Sequence, residues 1–378
     1  MKGLRLQSLD AFRGFTIAAM LVVNNPGDWG HLYAPLKHAA WDGWTFTDCI
    51  FPFFVFISGV SMTLSLSRRA ALGDNRMQLL GQTVRRSATI IAIGLLLNFI
   101  PAFDLATLRI PGVLQRLGLC ALLAAPIVLF GGWRTQLAWL VGLLVLYTGI
   151  QTWVAVPDAS GVWHTGSWRP GEDVGAWLDR SLMDGHLWRA SKTWDPEGLL
   201  STIPAVASLL AGVLAGHGLA SQRAASEKVV WMLVAGLGLL CLGQVVGAWS
   251  MPINKNLWSP AYTLFMAGWA SLVLGLFYGV MDAWPNAAGR ARAAQWAQPL
   301  VIFGMNALFL FALSGLIAKM LGVVKVTPQR TLKVWLFEGI QNLAWAPVNA
   351  SLLFALLFTV FFYCIAWAMW RKGWFVKV

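Results

Sequence analysis

Ten apolar segments, each close to the length a helix needs to cross a bilayer, follow one another along this chain with short polar connections. They lie near residues 9–25, 49–67, 85–102, 110–130, 134–154, 198–219, 229–250, 260–281, 299–320 and 350–370. A hydrocarbon core about 30 Å thick takes roughly 20 helical residues to span, and within it each backbone polar group must find its partner inside the protein. The expected fold is an all-α integral membrane protein, a bundle of about ten transmembrane helices forming one domain over residues 1–378. Only 12% of the residues are charged, about half the share of a soluble domain.

Orientation follows from the placement of Lys and Arg, which favour cytoplasmic connections. With a cytoplasmic N-terminus the inner side holds Lys2, Arg5, the cluster Arg68, Arg69, Arg76, Arg85 and Arg86 in the second connection, Arg134, Arg223, Lys228, Arg290, Arg292, Arg371, Lys372 and Lys377. The longest connection, about residues 155–197, then falls outside and is acidic on balance, and both termini are cytoplasmic. The net charge of +12 resides in this inner belt, so the chain is not read as a nucleic-acid binder. Cys49, Cys120, Cys241 and Cys364 form no CxxC pair; neither a disulfide framework nor a metal site is indicated, and they are expected as small core residues. The first segment lacks a small-residue cleavage site and is expected to be a retained helix. Trp29, Trp41, Trp44, Trp133, Trp249, Trp258, Trp370 and Trp374 fall near segment ends, as interfacial belts require.

Polar residues at membrane depth are costly and mark working sites. Four polar strings meet on the outer face: Asn24–Asp48 after the first segment, RIPGVLQR (Arg109–Arg116) opening the fourth, DPEG (Asp195–Gly198) opening the sixth with Asp195 as cap, and NKNLW (Asn254–Trp258) opening the eighth. Histidine is one of few side chains that ordinarily accept and return a proton near neutral pH, which makes His38 the candidate base, with Lys37, Asp42 and Asp48 beside it to orient or tune it. A buried Arg116 calls for a carboxylate or a bound anion. Asp10 and Arg13 form an i,i+3 pair. Asn24, about three turns beyond Arg13, shares its face of the first helix, which is expected to line a passage. Asn306 in FGMN is expected within the ninth helix as interhelical glue.

These strings, SLDAFRGFTIAAMLVVNN, KHAAWDG, DCIFPFFVFISG, RIPGVLQRLG, DPEGLLSTI, INKNLW and FGMN in order, resemble the heparan-α-glucosaminide N-acetyltransferase family of membrane enzymes. The LDxxRG opening is also similar to the acyltransferase-3 membrane family, in which a histidine follows the arginine by eleven residues; Asn24 stands there instead. The resemblance is that of a compact bacterial relative in the inner membrane, without the amino-terminal lumenal domain of the animal enzymes. It implies transfer of acetyl from cytoplasmic acetyl-CoA, a co-substrate, to an amino sugar at the periplasmic face.

His38 is then the catalytic histidine and Asn24 its assistant. Arg68, Arg69, Arg85, Arg86 and Arg116 are the candidate donor-binding residues, and Asp48, His186, Glu197, Lys255 and Asn256 the candidate acceptor-binding residues. Direct transfer in a ternary complex is favoured over an acetyl-histidine intermediate because it gains proximity. The alternative function is a transporter for an amino sugar or other polar solute, although neither internal repeats nor discontinuous helices are evident. A homodimer is compatible with such a bundle, with no GxxxG pattern singling out an interface.

Overall fold

The computed structural model describes residues 6–342 and 346–376, so the inner charges Lys2, Arg5 and Lys377 lie outside the described residues. Its helices are α1 (Gln7–Asn24), α2 (Phe46–Met62), α3 (Arg68–Ala71), α4 (Arg76–Phe99), α5 (Val113–Phe130), α6 (Trp133–Trp153), α7 (Val174–Met183), α8 (Thr202–Ala220), α9 (Ala225–Trp249), α10 (Pro260–Met281), α11 (Ala287–Met305), α12 (Ala307–Val323), α13 (Leu332–Gln341) and α14 (Pro347–Arg371). A π turn over Thr63–Ser67 makes α2 and α3 one rod, Phe46–Ala71. Two small antiparallel hairpins, β1 (Ala155–Pro157) with β2 (Trp163–Thr165) and β3 (Lys325–Thr327) with β4 (Arg330–Thr331), sit in connections.

Each of the ten apolar segments is helical, yet among the described residues seven helices are long and apolar enough to cross a membrane, or eight if α11 and α12 form one bent span. α1 and α4 are long enough but too polar to qualify, because Gln7, Asp10 and Arg13 occupy one and Gln82, Arg85 and Arg86 the other. The ninth segment is discontinuous: α11 and α12 meet at 69°. Asn306 stands at that break rather than within a helix, accepting from Val376 N and donating to Trp374 O, so it ties down the segment after α14. The break is a discontinuous helix that the sequence reading did not expect.

Helix packing rests on small residues that let backbones touch. A Cβ at Gly59 would lie 2.0 Å from Leu209 O, and one at Gly212 2.0 Å from Phe56 O, so α2 and α8 cross at backbone contact. Gly212 and Gly216 do form a GxxxG pair; it is used inside the subunit, against Phe56 and Thr63. α2, α5, α8 and α10 bury more than half of their apolar windows, whereas α9 buries 17% and presents the rest outward.

The inner arginines are not in a loop. Arg68 and Arg69 end the α2–α3 rod, and Arg76, Arg85 and Arg86 ride on α4, leaving a short turn, residues 72–75, between them. Arg13 donates to Asp10 and also to Ser61 on α2, while Asn24 faces α12 and α14, so the two do not line one passage. Trp133, Trp249 and Trp374 are exposed as interfacial residues, but Trp258 is fully buried. Cys49 and Cys120 are core residues, whereas Cys241 and Cys364 are exposed.

Counting helices from residue 74 to residue 160 passes α4, α5 and α6, which places the two turns at opposite ends of the bundle. With Cys49, Cys120, Cys241 and Cys364 replaced by Ser, Ser160→Cys should react with an impermeant maleimide in intact cells and Asp74→Cys only after permeabilisation. Equal reaction of both from outside would overturn this arrangement.

Candidate active site

The connection from α1 to α2 is shaped by the way α2 begins. Thr45 and Asp48 form a capping box: the Thr45 side chain accepts from Asp48 N, and Asp48 Oδ2 accepts from Thr45 N at 3.0 Å. Asp48 therefore belongs to the first turn of α2. Its Oδ2 also accepts from Ala39 N at 3.0 Å, and its Oδ1 lies 2.6 Å from His38 Nδ1. An ionised carboxylate only accepts, so Nδ1 carries the proton and Nε2 keeps a free lone pair. Asp48 is 1% exposed and His38 45%. Asp48, expected to bind acceptor, is instead shut behind the imidazole by its own protein partners and orients it.

A second string is strapped across the first. Asp42 bridges Asn254, Gly43 N donates to Ile253 O at 2.7 Å, and Asn254 Nδ2 donates to Asp42 Oδ1 at 3.1 Å. Asn254 Oδ1 accepts from Leu257 N and Ser259 Oγ from Asn254 N, which closes a tight turn. That turn presents Lys255 Nζ at 3.1 Å from His38 Nδ1, 3.4 Å from Nε2 and 3.8 Å from Asp48 Oδ1. Burial pushes the Lys255 ammonium below its ordinary range, against the pull of Glu197 and Asp48. α10 starts only at Pro260, capped by Ser259.

The DPEG string does not open a helix either; α8 starts at Thr202. Arg109 forks onto it, donating from Nε to Asp195 Oδ2 at 2.9 Å and from one terminal nitrogen to Asp195 Oδ1 and Glu197 Oε2, both at 2.6 Å. Asp195 is thus an ion-pair partner with an Asx turn to Glu197 N rather than a helix cap. Although burial raises it, Glu197 is held below the ordinary carboxylate range by Arg109, Arg116 and Lys255.

Arg116, expected to hold the donor, is 1% exposed and donates to Pro196 O, Gly198 O and Ser201 Oγ, with its guanidinium 5.1 Å from the centre of the Trp258 ring. It clamps the DPEG loop onto the bundle through neutral acceptors and an aromatic face, not through the carboxylate or anion its burial implied.

His38, Asp48, Glu197 and Lys255 are therefore brought together, and Asn256 lines a one-water cavity beside them with Trp41, Trp194 and Asp195. His186 is not in this group: its Nδ1 meets Leu108 O at 2.8 Å and its carbonyl accepts from Ile110 N, a link between two loops. Asn24 is also elsewhere, exposed at the end of α1 in a cavity of about 200 Å³ with Trp29, Lys319 and Lys333. Arg68 lies twenty residues beyond Asp48 along one rod, roughly 30 Å away at 1.5 Å per residue, so the arginines occupy the far end of the bundle. Arg69 there pairs with Asp74 and Gln82.

Sequence reasoning had Asp48 among the neighbours able to orient His38 but missed that it also starts α2, although the Thr45-x-x-Asp48 pattern was the signal. It also missed Asp179, which carried no local signal. Asp179 Oδ1 accepts from Leu199 N at 2.9 Å, and a Cβ at Gly198 would lie 2.0 Å from its Oδ2, so only glycine fits there. Burial, aided by Asp195 and Asp173, pushes this carboxyl up to about 7 from its ordinary 3.8. Between those values the folded protein holds a proton the unfolded chain has lost, so this group's contribution to stability falls as pH rises. Asp179→Asn should remove that contribution: its melting temperature should fall less than that of the wild type between about pH 5 and about pH 8. Parallel curves would reject the assignment.

Residues 5–168 match a family model described as heparan-alpha-glucosaminide N-acetyltransferase, catalytic. The stretch contains His38, Asp48, Arg109 and Arg116, while Glu197 and Lys255 lie beyond it. The human heparan-alpha-glucosaminide N-acetyltransferase is 32% identical over 329 residues, covering 74% of this chain and 49% of the human protein. The mouse protein of the same name is 30% identical over the same length and coverage. The chain spans about half the length of the curated relatives it matches. By these likenesses, and by the motifs assembled around His38, the chain is a relative of the heparan-α-glucosaminide N-acetyltransferases.

Proposed function

We propose that this chain is, over its whole length, a transmembrane acetyltransferase that moves acetyl from acetyl-CoA to the amine of a glucosamine-like amino sugar. Both termini and the arginine-rich turns face the bacterial cytoplasm, the source of acetyl-CoA; residues 155–197 and His38 face the periplasm. The observation that carries this reading is the Asp48–His38 pair, 2.6 Å apart, with Nε2 unprotonated and the Lys255 side-chain nitrogen 3.4 Å from it. Acetyl transfer to an amine needs a base for the amine's proton and a donor for the developing oxyanion.

In this mechanism the acceptor's ammonium group first releases one proton to water, and the free amine then attacks the thioester carbonyl as His38 Nε2 takes a second. Asp48 steadies the imidazolium through Nδ1, and Lys255 donates to the oxyanion. Collapse breaks the C–S bond, and the imidazolium returns its proton to the CoA thiolate. Products are the N-acetyl sugar and CoA, with histidine regenerated. Lys255 replaces Asn24 as the oxyanion donor, because it is the cation that reaches the imidazole. Glu197 holds Lys255 charged and, with Asn256, borders the acceptor.

His38→Ala should lower the rate of CoA release with glucosamine by about 10² to 10⁴ while leaving acetyl-CoA affinity intact. Asp48→Asn, whose amide would force the other tautomer, should fall in the same range, about 10² to 10⁴. Lys255→Ala should cost about 10² to 10³ and Asn24→Ala much less. The reverse ranking of Lys255 and Asn24 would return the donor role to Asn24, and unimpaired turnover in His38→Ala would remove the base assignment.

The donor's phosphates are proposed to meet Arg68, Arg69, Arg85 and Arg86, since Arg suits phosphate recognition. Replacing all four by Gln should raise the Kd for acetyl-CoA more than it lowers kcat at saturation. An unchanged Kd would leave this belt with topology alone.

A further inference from the structure

The cavity of about 200 Å³ at the end of α1 is separate from the one beside Asp195 and Asn256, with no lining residue in common. Asn24 and Trp29 border it from the α1–α2 connection, Lys319 from α12, Lys333 from α13, and Phe354 and Phe358 from α14. It is far larger than the ~15 Å³ a single water needs. Two of its walls are thus cations, and both are half-buried.

Neither cation has a counter-ion. Every Asp and Glu of the chain lies among the described residues, and none of them forms an ion pair with Lys319 or Lys333. Lys319 Nζ donates to Ile100 O at 3.1 Å and to Leu97 O, carbonyls at the end of α4, which leaves one of its three N–H groups to spare. Lys333 makes no hydrogen bond to the described residues. Burial pushes its ammonium below the ordinary range. Asp28 pulls against that shift from a distance, but its oxygens are held by His31 Nδ1 at 2.6 Å and Gly30 N at 2.9 Å. The Asn24 amide likewise has no partner among the described residues. Donors without acceptors therefore surround one space, and two like charges there call for an anion between them.

The donor set and the floor narrow the class of anion. A phosphate group spreads its charge over several oxygens and accepts from two ammonium groups and an amide at once. Phe354 and Phe358, both buried, form an apolar floor that inorganic phosphate leaves unused and the carbon skeleton of an ester covers. Trp29, 56% exposed, adds a ring at the rim.

We propose that this cavity is a second ligand site, which binds a phosphate ester between Lys319 and Lys333 with its carbon skeleton against Phe354 and Phe358. The ester is the headgroup of an anionic phospholipid or a soluble compound of the same chemistry. The site is independent of the acetyltransferase reading, and it stands at the opposite end of the bundle from the arginines proposed for the donor's phosphates.

Reductive methylation of the full chain in dodecyl maltoside and phosphate-free buffer, followed by peptide mass spectrometry, reads the access to each lysine amine. The probes are dioleoyl phosphatidylglycerol and glycerol 3-phosphate, with dioleoylglycerol and sodium chloride at matched ionic strength as controls. At about ten times its Kd a probe should slow methylation of Lys319 and Lys333 about tenfold and leave Lys192, exposed in the α7–α8 connection, unchanged. Protection by glycerol 3-phosphate makes a soluble ester sufficient, and protection by phosphatidylglycerol alone makes this a lipid headgroup site; either supports the proposal. Lys333 is the residue to vary, because Lys319 also holds the end of α4. Lys333→Gln should raise the Kd, read from protection of Lys319, by about tenfold or more, and Lys333→Arg should keep it near the wild-type value. Protection by neither phosphate probe, equal protection by either control, or an unchanged Kd in Lys333→Gln would overturn the proposal.

Discussion

The outer end of this molecule depends on one buried carboxylate. Removing an ion from water costs several kcal/mol unless its surroundings replace the lost hydration. Asp48 meets that condition with the Ala39 and Thr45 amides, the His38 ring and the nearby Lys255 ammonium. It also sits in the first turn of α2, where the helix dipole favours negative charge. The same group thus starts a membrane-spanning rod, folds the preceding connection back onto it and sets the histidine tautomer. The site is as rigid as the helix end on which it is built.

Around that point the protein assembles groups from four separate connections, and it does so with polar struts between the loops at that end of the bundle. Asp42 to Asn254, Arg109 to Asp195 and Glu197, and Trp41 to Trp168 are side-chain bonds between loops. Farther down, the same helices meet through glycine and apolar surface, as α2 and α8 do at Gly59 and Gly212. The division follows from the solvent: hydrogen bonds between loops can form freely where water meets the membrane, while the interior admits helical backbone and close packing.

Much of the bundle was legible in sequence because periodicity and length carry it. All ten apolar segments are helices, and Asp10 and Arg13 pair as their spacing requires. The boundaries were less legible at polar ends. Asp48, Asp195 and Lys255 all stand near helix starts, and nothing local distinguishes a cap within a helix from an ion pair seven residues before one. In the structure Asp48 is the former, Asp195 the latter, and Lys255 belongs to a turn closed by Asn254 and Ser259. Arg116 read as an unpaired buried charge because its acceptors are carbonyls some eighty residues away.

The sequence by itself determined that the chain is a helical membrane protein and marked its polar strings, with His38 among them, as the candidates worth testing. The first follows from residue type and spacing along each segment, and the choice of His38 also from the family resemblance of KHAAWDG. Only the tertiary structure decided the partners: Asp48 rather than solvent on Nδ1, and Lys255 rather than Asn24 beside the imidazole. Those choices depend on how helices far apart in the chain cross and on which loop ends they thereby bring within hydrogen-bond reach, and no local pattern encodes that distance.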